Sequence, residues 1–280
     1  MYEQHWGLGR AAFRNTAEPE FFFRSATHQA ALLKLRYATE NRLGACLLAG
    51  GVGYGKSFTT AMLAHDLGET CRPAVHVRFP QLTPAELLSH LAIELASGDA
   101  VDGGDLPVDF GERGLDATVR AIGRQLRRHA DAGRRPLVIV DDAHLIGDLR
   151  VFQTLQLLLN FQHERSGDFT LVLVGERTLL GRIGRIPQLN DRIGIKALLR
   201  PLSQEETAGY VAHRLEVAGT GETIFDGAAL DSLFEQSGGV PRKINRLCDL
   251  ALLVAYSDGL RTVTPSEVEA VVDELVAAVQ

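Results

Sequence analysis

The fold of this chain is decided by the segment Gly50-Gly51-Val52-Gly53-Tyr54-Gly55-Lys56-Ser57, which has the pattern G-x-x-x-x-G-K-[ST]. An apolar run at 45–49 precedes this segment and is typical of a buried parallel strand. The residues that follow it, 58–67, have the composition of a helix. A strand, a glycine-rich loop and a helix in this order predict a P-loop, the element that binds nucleotide phosphates.

The residue types of this loop match the chemistry of phosphate binding. Glycines adopt positive φ angles and bring backbone N–H groups close to an anion, and the N-terminus of the following helix attracts negative charge. We expect Lys56 to reach the β- and γ-phosphates and the Ser57 hydroxyl to ligate Mg²⁺. The predicted nucleotide-binding residues of the loop are Gly50, Gly51, Val52, Gly53, Tyr54, Gly55, Lys56, Ser57 and Phe58.

A second nucleotide signature, a Walker B motif, lies at Asp141-Asp142, directly after four apolar residues at 137–140. A carboxylate at the carboxyl end of a buried strand stands where α/β sheets bind their ligands. We expect Asp141 to hold Mg²⁺ through water and Asp142 to polarise the water that attacks the γ-phosphate. Two consecutive acidic residues favour an ATPase, and the guanine-reading pattern Asn-Lys-x-Asp does not occur, so we predict ATP as the nucleotide.

Strand and helix patterns alternate as far as Pro201, and only helical patterns follow. This order predicts an α/β fold with a three-layer αβα core around a parallel sheet, followed by a small all-helical lid domain. We divide the chain into an aromatic docking segment at 1–24, a P-loop core at 25–201 and a helical lid at 202–280. In the core, the first helix is expected to bury Ala30, Leu33 and Tyr37, and the Gly- and Asp-rich residues 97–114 to form an insertion.

The net charge of −6 excludes a protein whose whole surface attracts polyanions, so a nucleic-acid contact would require a local patch. The best candidate is a set of arginines on one predicted helix face: Arg120, Arg124, Arg127 and Arg128, with Arg134 and Arg135 just beyond. Such a row is either a solvated helix face or a patch for nucleic-acid phosphates or an acidic neighbour.

The cysteines, Cys46, Cys71 and Cys248, are widely spaced and form no C-x-x-C pair. We interpret them as buried, reduced thiols of a cytoplasmic protein, with no zinc site. The first residues lack the pattern of a signal peptide, and no run of 18 apolar residues occurs, so we predict no membrane span.

Both ends of the chain carry longer patterns that are more specific than the P-loop. The start contains Met1-Tyr2-x-x-His5-Trp6-Gly7-Leu8, Phe13 and Pro19-x-Phe21-x-Phe23-x-Ser25-x-x-His28. The second half contains Leu198-x-x-Pro201-Leu202-Ser203, Tyr210-Val211-x-x-Arg214-Leu215 and Ser237-Gly238-Gly239-Val240-Pro241-Arg242-Lys243-Ile244-Asn245-Arg246-Leu247-Cys248-Asp249. Together they resemble the AAA+ ATPase domain of the general secretion pathway protein A family (ExeA-like), over essentially all 280 residues. The resemblance implies an ASCE-type P-loop NTPase that binds ATP and Mg²⁺ in a cleft between core and lid.

The resemblance also implies roles for arginines outside the P-loop. Arg242, just after Pro241, would be the sensor-2 arginine that reaches the γ-phosphate, and both residues would bind nucleotide. Arg192 would be an arginine finger for a neighbour's ATP or, about equally well, part of a core-to-lid salt bridge, and Arg182 and Arg185 compete for the finger role. The N-terminal aromatic rings would cover the adenine or pack the core, and we favour packing.

The sequence departs from the family pattern at two catalytic positions. Asp142 stands where the family usually has Glu, so its carboxylate is drawn back by about an ångström, which is expected to slow hydrolysis. Glu176 stands at the sensor-1 position, which is usually Gln, and one hypothesis is that it partly replaces the missing reach of Asp142. The alternative is a slow ATPase that works as a switch.

Three functions remain open from the sequence. The first is an ATP-driven homo-oligomeric switch, a ring or filament, that serves an unidentified protein client of a secretion or envelope machine. The sequence stops after the lid motif, without the transmembrane and peptidoglycan-binding portions of longer family members, and we take this as evidence against that role. The second is a DNA-binding ATPase of the transposition-helper type, which the arginine row favours. The third is a nucleotide-binding scaffold that does not hydrolyse ATP, because Asp142 is short.

Overall fold

Five parallel strands form one sheet in the computed structural model, which describes residues 2–97, 114–163 and 168–277. The strands are β1 (Ala45–Ala49), β2 (Ala74–Val77), β3 (Leu137–Val140), β4 (Thr170–Gly175) and β5 (Ile193–Leu198). Their order in the sheet is β2-β3-β4-β1-β5, and every pairing is parallel. The predicted parallel α/β sheet is therefore confirmed, and the predicted insertion at 97–114 lies almost wholly outside the described residues.

The helices alternate with the strands in the first part of the chain and then follow one another. Their bounds are α1 (Ala26–Glu40), α2 (Lys56–Leu67), α3 (Pro84–Ser97), α4 (Leu115–Asp131), α5 (Leu149–Leu158), α6 (Thr178–Gly184), α7 (Pro187–Asn190), α8 (Gln204–Ala218), α9 (Gly227–Ser237), α10 (Pro241–Ser257) and α11 (Pro265–Ala277). This order agrees with the predicted core and the helical region after Pro201.

Capping side chains determine where several of these helices begin. The hydroxyl of Ser203 accepts a hydrogen bond from the N–H of Glu206, whose carboxylate accepts from the N–H of Ser203 in return. Thr83 and Glu86 make the same reciprocal pair at the start of α3. Each pair satisfies N–H groups that have no partner within the helix, and a cap of this kind contributes about 1 kcal/mol.

The chain folds into two compact units, which we call the sheet unit and the helical unit. The sheet unit consists of Ala30–Gly51 and Thr59–Leu198, and the helical unit consists of Met1–Gln29, Val52–Phe58 and Leu199–Gln280. Each unit has its own apolar core.

The core of the sheet unit forms where apolar strands are covered by helices α3, α4 and α5. Strands β1, β3 and β4 are buried along their whole length, as expected for strands covered on both faces. Leu91 and Leu95 of α3, Leu126 of α4 and Phe152 of α5 pack against them. Removing such a side chain from water contributes about 1.5–3 kcal/mol each.

The predicted buried face of α1 is wrong. Leu33 and Tyr37 are 69% and 54% exposed, and Ala30 is also exposed. The buried residues are instead those of a neighbouring stripe: Ala31, Leu32, Leu35 and Ala38. Both stripes have helical spacing and apolar members, so the periodicity alone does not decide which one packs inward.

The core of the helical unit joins the N-terminal segment to α8–α11. Trp6, Phe13 and Phe21 are buried among residues of these helices, and the indole N–H of Trp6 donates to the carbonyl of Leu252 at 3.2 Å. The guanidinium of Arg214 is buried there and donates to the carbonyls of Ala12 and Arg14, at 2.6 Å each. Burial lowers the pKa of Arg214, and its two carbonyl partners offset the loss of water around the cation.

Candidate functional site

The P-loop joins the carboxyl end of β1 to the first turn of α2. The N–H of Gly50 donates to the carbonyl of Gly175, at 3.1 Å, where the neighbouring strand β4 ends. Gly53 and Gly55 have φ angles of 78° and 83°, which residues with a side chain rarely adopt. Lys56 is the first residue of α2 and is 8% exposed. The loop thus has the backbone shape and the helix N-terminus that phosphate binding requires.

The first turn of α10 lies against this loop within the helical unit. The N–H of Arg242 donates to the carbonyl of Gly53 at 3.3 Å. A Cβ atom on Gly53 would lie 2.9 Å from the Cβ of Arg242 and 3.0 Å from a methyl group of Val240, so only glycine fits. The sequence motif that resembles sensor 2 is therefore in direct contact with the P-loop.

An aromatic cleft adjoins the P-loop in the helical unit. It is lined by Phe21, Phe22, Phe23, His28, Gly55, Phe58, Leu202, Tyr210 and Pro241. The rings of Phe22 and Phe58 meet edge to face, with centroids 5.0 Å apart. Burial raises the pKa of Tyr210, whose hydroxyl donates to the side-chain carbonyl of Asn245 at 2.7 Å. The cleft therefore has apolar walls beside the loop that the sequence predicts to bind phosphates.

The structure therefore gives the N-terminal aromatic rings two positions. Trp6 and Phe13 pack in the apolar core, whereas Phe22 and Phe23 line the cleft beside the P-loop. Packing in the core, the alternative that we favoured, is observed for Trp6 and Phe13, and the covering of an adenine stays a prediction for Phe22 and Phe23.

His28 is a residue of this site to which the sequence analysis gave no role. Its Nε2 atom lies 2.8 Å from the carbonyl oxygen of Tyr54 in the P-loop, and its Nδ1 atom lies 2.7 Å from the hydroxyl of Ser25. The side chain is 5% exposed, and burial lowers its pKa. The signal in the sequence was the spacing Ser25-x-x-His28 at the start of a helix, which places both side chains over the same turn.

In the sheet unit, Asp141 and Asp142 follow β3 at the carboxyl edge of the sheet. Asp141 is 9% exposed, and its carboxylate lies 3.6 Å from Nε2 of His76 on the neighbouring strand β2. Asp142 has left-handed backbone angles of φ 45° and ψ 35°, and its side chain is 51% exposed. Aspartate tolerates this conformation better than most residues, because its short side chain can bond locally.

His144 lies between the two carboxylates on which the sequence analysis concentrated. Its Nε2 atom is 3.3 Å from Glu176, which follows β4, and its Nδ1 atom is 3.8 Å from Asp142. His144 was not predicted from the sequence, although the spacing Asp141-x-x-His144 places it one tight turn after the Walker B strand. The structure thus brings Asp142 and Glu176 to opposite sides of one imidazole ring.

Strand order explains why Glu176 is close to the Walker B residues. Strand β4 pairs with both β1 and β3, so the residue after β4 stands between the ends of the P-loop strand and the Walker B strand. Parallel strands end at the same edge, and this edge is where ligands of α/β sheets bind.

The candidate finger arginines differ in what they contact. The guanidinium of Arg182 donates to the carbonyls of His144 and Ile146, so it supports the turn after Walker B in its own chain. Arg185 is exposed, and Arg192 donates to the side-chain carbonyl of Asn160 at 2.8 Å.

Arg192 precedes β5 and lies at the amino edge of the sheet. A strand of five or six residues, about 16–20 Å long, separates this edge from the carboxyl edge in the same chain.

The arginine row of α4 is exposed at Arg120, Arg124, Arg127 and Arg128. Arg120 pairs with Asp116 at 2.8 Å within the same helix. Arg135 does not extend the row, because it is largely buried and pairs with Asp168 at 2.9 Å.

The cysteines Cys46, Cys71 and Cys248 are buried and free. Burial raises the pKa of Cys46 to about 12. Among the described residues, no helix has the length and apolar character needed to cross a membrane.

The residues of the P-loop and of the aromatic cleft fit a nucleoside triphosphate, and Asp141 at the carboxyl edge of the sheet fits Mg²⁺. The loop carries positive-φ glycines and a lysine at a helix N-terminus, and the cleft beside it offers apolar walls for a base. Asp141 supplies a carboxylate oxygen at the sheet edge, the type of ligand that Mg²⁺ uses together with water and phosphate oxygens.

Comparison with known proteins shows the family of this chain. Residues 40–183 match the AAA domain family. The chain is 32% identical over 271 residues to general secretion pathway protein A of Aeromonas hydrophila, which covers 96% of this chain and 47% of that protein. The chain therefore spans about half the length of this relative. The resemblance to the ATPase portion of this family, stated from the sequence, is confirmed.

Two solved structures show the same fold at low sequence identity. The ORC2 protein of Aeropyrum pernix superposes with a TM-score of 0.68 and 18% identity, over 95% of this chain and 71% of that one. The RuvB Holliday junction branch migration motor of Thermotoga maritima gives a TM-score of 0.63 and 17% identity, over 94% and 73% of the two chains. The predicted fold class, a P-loop αβα core followed by helices, is confirmed by these neighbours.

Proposed function

This chain belongs to the AAA domain family, and we propose that it binds and hydrolyses ATP with Mg²⁺ as the switch of a homo-oligomer. The observation that carries this proposal is the P-loop itself: positive-φ glycines, a lysine at the start of α2 and an aromatic cleft at its side. These features bind phosphates and a base, and the carboxylates at the sheet edge supply the groups that hydrolysis needs.

The proposed binding step uses residues of the helical unit. Backbone N–H groups of the P-loop and the side chain of Lys56 bind the phosphates, and Ser57 ligates the metal. Arg242 binds the terminal phosphate as a sensor-2 residue in this proposal, which is supported by the hydrogen bond from its N–H to the carbonyl of Gly53. The aromatic cleft takes the base.

The proposed hydrolysis step uses residues at the carboxyl edge of the sheet. When bound, Mg²⁺ would neutralise charge on the phosphates, and Asp141 is the residue that would hold it. Asp142 accepts a proton from the attacking water. Glu176 contacts His144, which lies beside Asp142, and in this way partly replaces the missing reach of Asp142. Because Asp142 is short and half exposed, we expect the rate of hydrolysis to be low.

The proposed oligomer follows from the position of Arg192. An arginine finger stabilises transition-state charge and contributes several powers of ten in rate. Arg192 lies at the amino edge of the sheet, a strand length away from the Walker B edge of its own chain. If it acts as a finger, it therefore acts on the ATP of a neighbouring copy, in a ring or filament.

Similarity to general secretion pathway protein A favours a protein client in a secretion or envelope machine. A second candidate, ATP-dependent DNA binding, is favoured by the four exposed arginines of α4. Binding through such a row weakens steeply with salt, because phosphate contacts release counterions.

The test is ATP turnover as a function of protein concentration, with and without duplex DNA, for wild type, Arg192→Ala and Arg185→Ala. We expect a rate per subunit that rises with concentration, falls at least about a hundredfold in Arg192→Ala and is retained in Arg185→Ala. Loss in Arg185→Ala alone would transfer the finger role to Arg185. Stimulation by DNA would favour the DNA-binding ATPase, and a flat rate unaffected by either change would contradict the oligomeric switch.

A further inference from the structure

A chain of two hydrogen bonds connects the start of α1 to the P-loop. The hydroxyl of Ser25 lies 2.7 Å from Nδ1 of His28, and Nε2 of His28 lies 2.8 Å from the carbonyl oxygen of Tyr54. Ser25 and His28 are 2% and 5% exposed, so water does not compete for these bonds. All three residues belong to the helical unit.

The chemistry of the two partners determines the hydrogen positions on the ring. A carbonyl oxygen can only accept, so Nε2 of His28 must carry a hydrogen and donate it to Tyr54. The hydroxyl of Ser25 can then donate to the bare Nδ1 atom, and its oxygen faces the N–H of His28 at 3.5 Å. The contacts require a hydrogen on Nε2, and burial, which lowers the pKa of His28, favours the neutral Nε2–H tautomer over the charged ring.

The bond to Tyr54 also determines the direction of the next N–H group. A peptide unit is planar, and its C=O and N–H bonds point in opposite directions. When the carbonyl of Tyr54 points to His28, the N–H of Gly55 points to the other side of the loop. N–H groups of this loop are the groups that cradle the α- and β-phosphates.

The ring of His28 occupies a position that a side chain on Gly55 would need. A Cβ atom on Gly55 would lie 3.0 Å from Nε2 of His28. On its other side the ring meets Phe22 edge to face, with centroids 5.9 Å apart. The helix that carries His28 is itself fixed, because the N–H of Ala26 donates to the carboxylate of Glu206 at 2.8 Å.

We propose that His28 is a positioning residue that orients the Tyr54–Gly55 peptide and thereby sets the affinity for nucleotides that carry a β-phosphate. His28 acts through the loop and is not itself a ligand of the nucleotide. This inference rests on the proposed function, since it assumes that the P-loop binds a nucleotide. It adds that the N-terminal segment determines the geometry of the phosphate site.

A purely structural histidine would behave differently in one measurable respect. If His28 only filled space, its loss would weaken the binding of all nucleotides together, or would only lower the stability of the protein. If it orients the Gly55 N–H towards the β-phosphate, its loss weakens ADP binding more than AMP binding. The ratio of the two affinities therefore separates the two roles.

The experiment measures ADP and AMP affinities by competition against a fluorescent ATP analogue, for wild type, His28→Leu, His28→Gln and His213→Leu. His213→Leu is the matched control, a half-buried histidine of the same unit that contacts Phe23. We expect His28→Leu to lower the ADP-to-AMP affinity ratio by about fivefold to tenfold, the loss of one hydrogen bond. His28→Gln keeps an N–H donor at similar reach and is expected to recover most of the ratio.

The outcomes distinguish this inference from the proposed function. An unchanged ratio in His28→Leu, with a wild type that binds and hydrolyses ATP, overturns the role of His28 alone. A wild type that binds neither ATP nor ADP overturns both. If His28→Leu does not fold, Ser25→Ala replaces it: this change keeps the ring but removes the hydroxyl donor, and is expected to lower the ratio by about twofold to threefold. An unchanged ratio in Ser25→Ala would overturn the inference as well.

Discussion

The P-loop of the helical unit and the Walker B edge of the sheet unit differ in how firmly their groups are held. In the P-loop, the carbonyl of Tyr54 accepts a hydrogen bond from the buried His28, and the carbonyl of Gly53 accepts one from the N–H of Arg242. Lys56 is 8% exposed. At the Walker B edge, half of the Asp142 side chain is exposed, and its carboxylate lies 3.8 Å from Nδ1 of His144. The backbone of Asp142 is also left-handed, which is uncommon for a residue other than glycine.

This difference separates binding from hydrolysis. Groups that are fixed before the ligand arrives bind with little loss of conformational freedom, whereas a half-exposed carboxylate must be ordered for each reaction. We therefore expect a protein that holds its nucleotide well and hydrolyses it slowly.

The largest effect is expected at Lys56, on the binding side. Lys56→Ala removes the positive charge at the start of α2, and we expect kcat/KM for ATP to fall about a thousandfold. The measurement is steady-state phosphate release together with equilibrium binding of ATP. Lys34→Ala, an exposed lysine of α1, is the control and should match wild type. A Lys56→Ala protein that bound and hydrolysed ATP normally would contradict the role of this loop.

The next effect is expected at Asp142, on the hydrolysis side. Asp142→Asn removes the proton acceptor, so kcat should fall about a hundredfold while the affinity for ATP stays within about twofold of wild type. Asp142→Glu extends the carboxylate by one methylene, and we expect kcat to rise by about threefold to tenfold. Single-turnover phosphate release measures the hydrolysis rates of both variants. An unchanged rate in Asp142→Asn would show that another residue accepts the proton.

A smaller effect is expected where His144 connects the two carboxylates. Glu176→Gln should lower kcat about tenfold, because it removes the charge 3.3 Å from Nε2 of His144 without altering the P-loop. His144→Asn should lower kcat by a similar factor, and the double variant should lose little more than either single one, since the residues act together. Fully additive losses would contradict the connection, and no loss in Glu176→Gln would end the compensation hypothesis.

The sequence predicts those structural features that depend on neighbouring residues. The backbone of the P-loop and the strand before Asp141 depend on neighbours within a few residues, and both are found where the sequence predicts them. The buried face of α1 was missed because Leu33 and Leu35 belong to two apolar stripes of equal quality.

Contacts between distant segments could not be read in the same way. His28 reaches Tyr54 across 26 positions, and His144 reaches Glu176 across 32. Neither distance follows from a pattern in the chain, because each depends on how separate elements pack. Arg182 illustrates the same limit, since an arginine that looked like a candidate finger supports two backbone carbonyls of its own chain.

The smallest effect concerns pH and returns to the binding side. Burial lowers the pKa of His28 in the folded protein, while its bond to Tyr54 and the charge of Glu206 partly oppose this shift. The unfolded chain therefore takes up a proton near pH 6.5, the ordinary pKa of histidine, while the folded protein does not. The contribution of neutral His28 to the free energy of unfolding is complete above pH 6.5 and is lost as pH falls towards the lower folded pKa, with a slope of at most about 1.4 kcal/mol per pH unit for one proton.

Urea unfolding of wild type and His28→Gln at several pH values between 7.5 and 5 measures this contribution. We expect the free energy of unfolding of wild type to fall more steeply than that of the variant, because glutamine does not titrate. Parallel curves would mean that the pKa of His28 is the same in the folded and the unfolded chain, and would contradict the effect of burial on this ring.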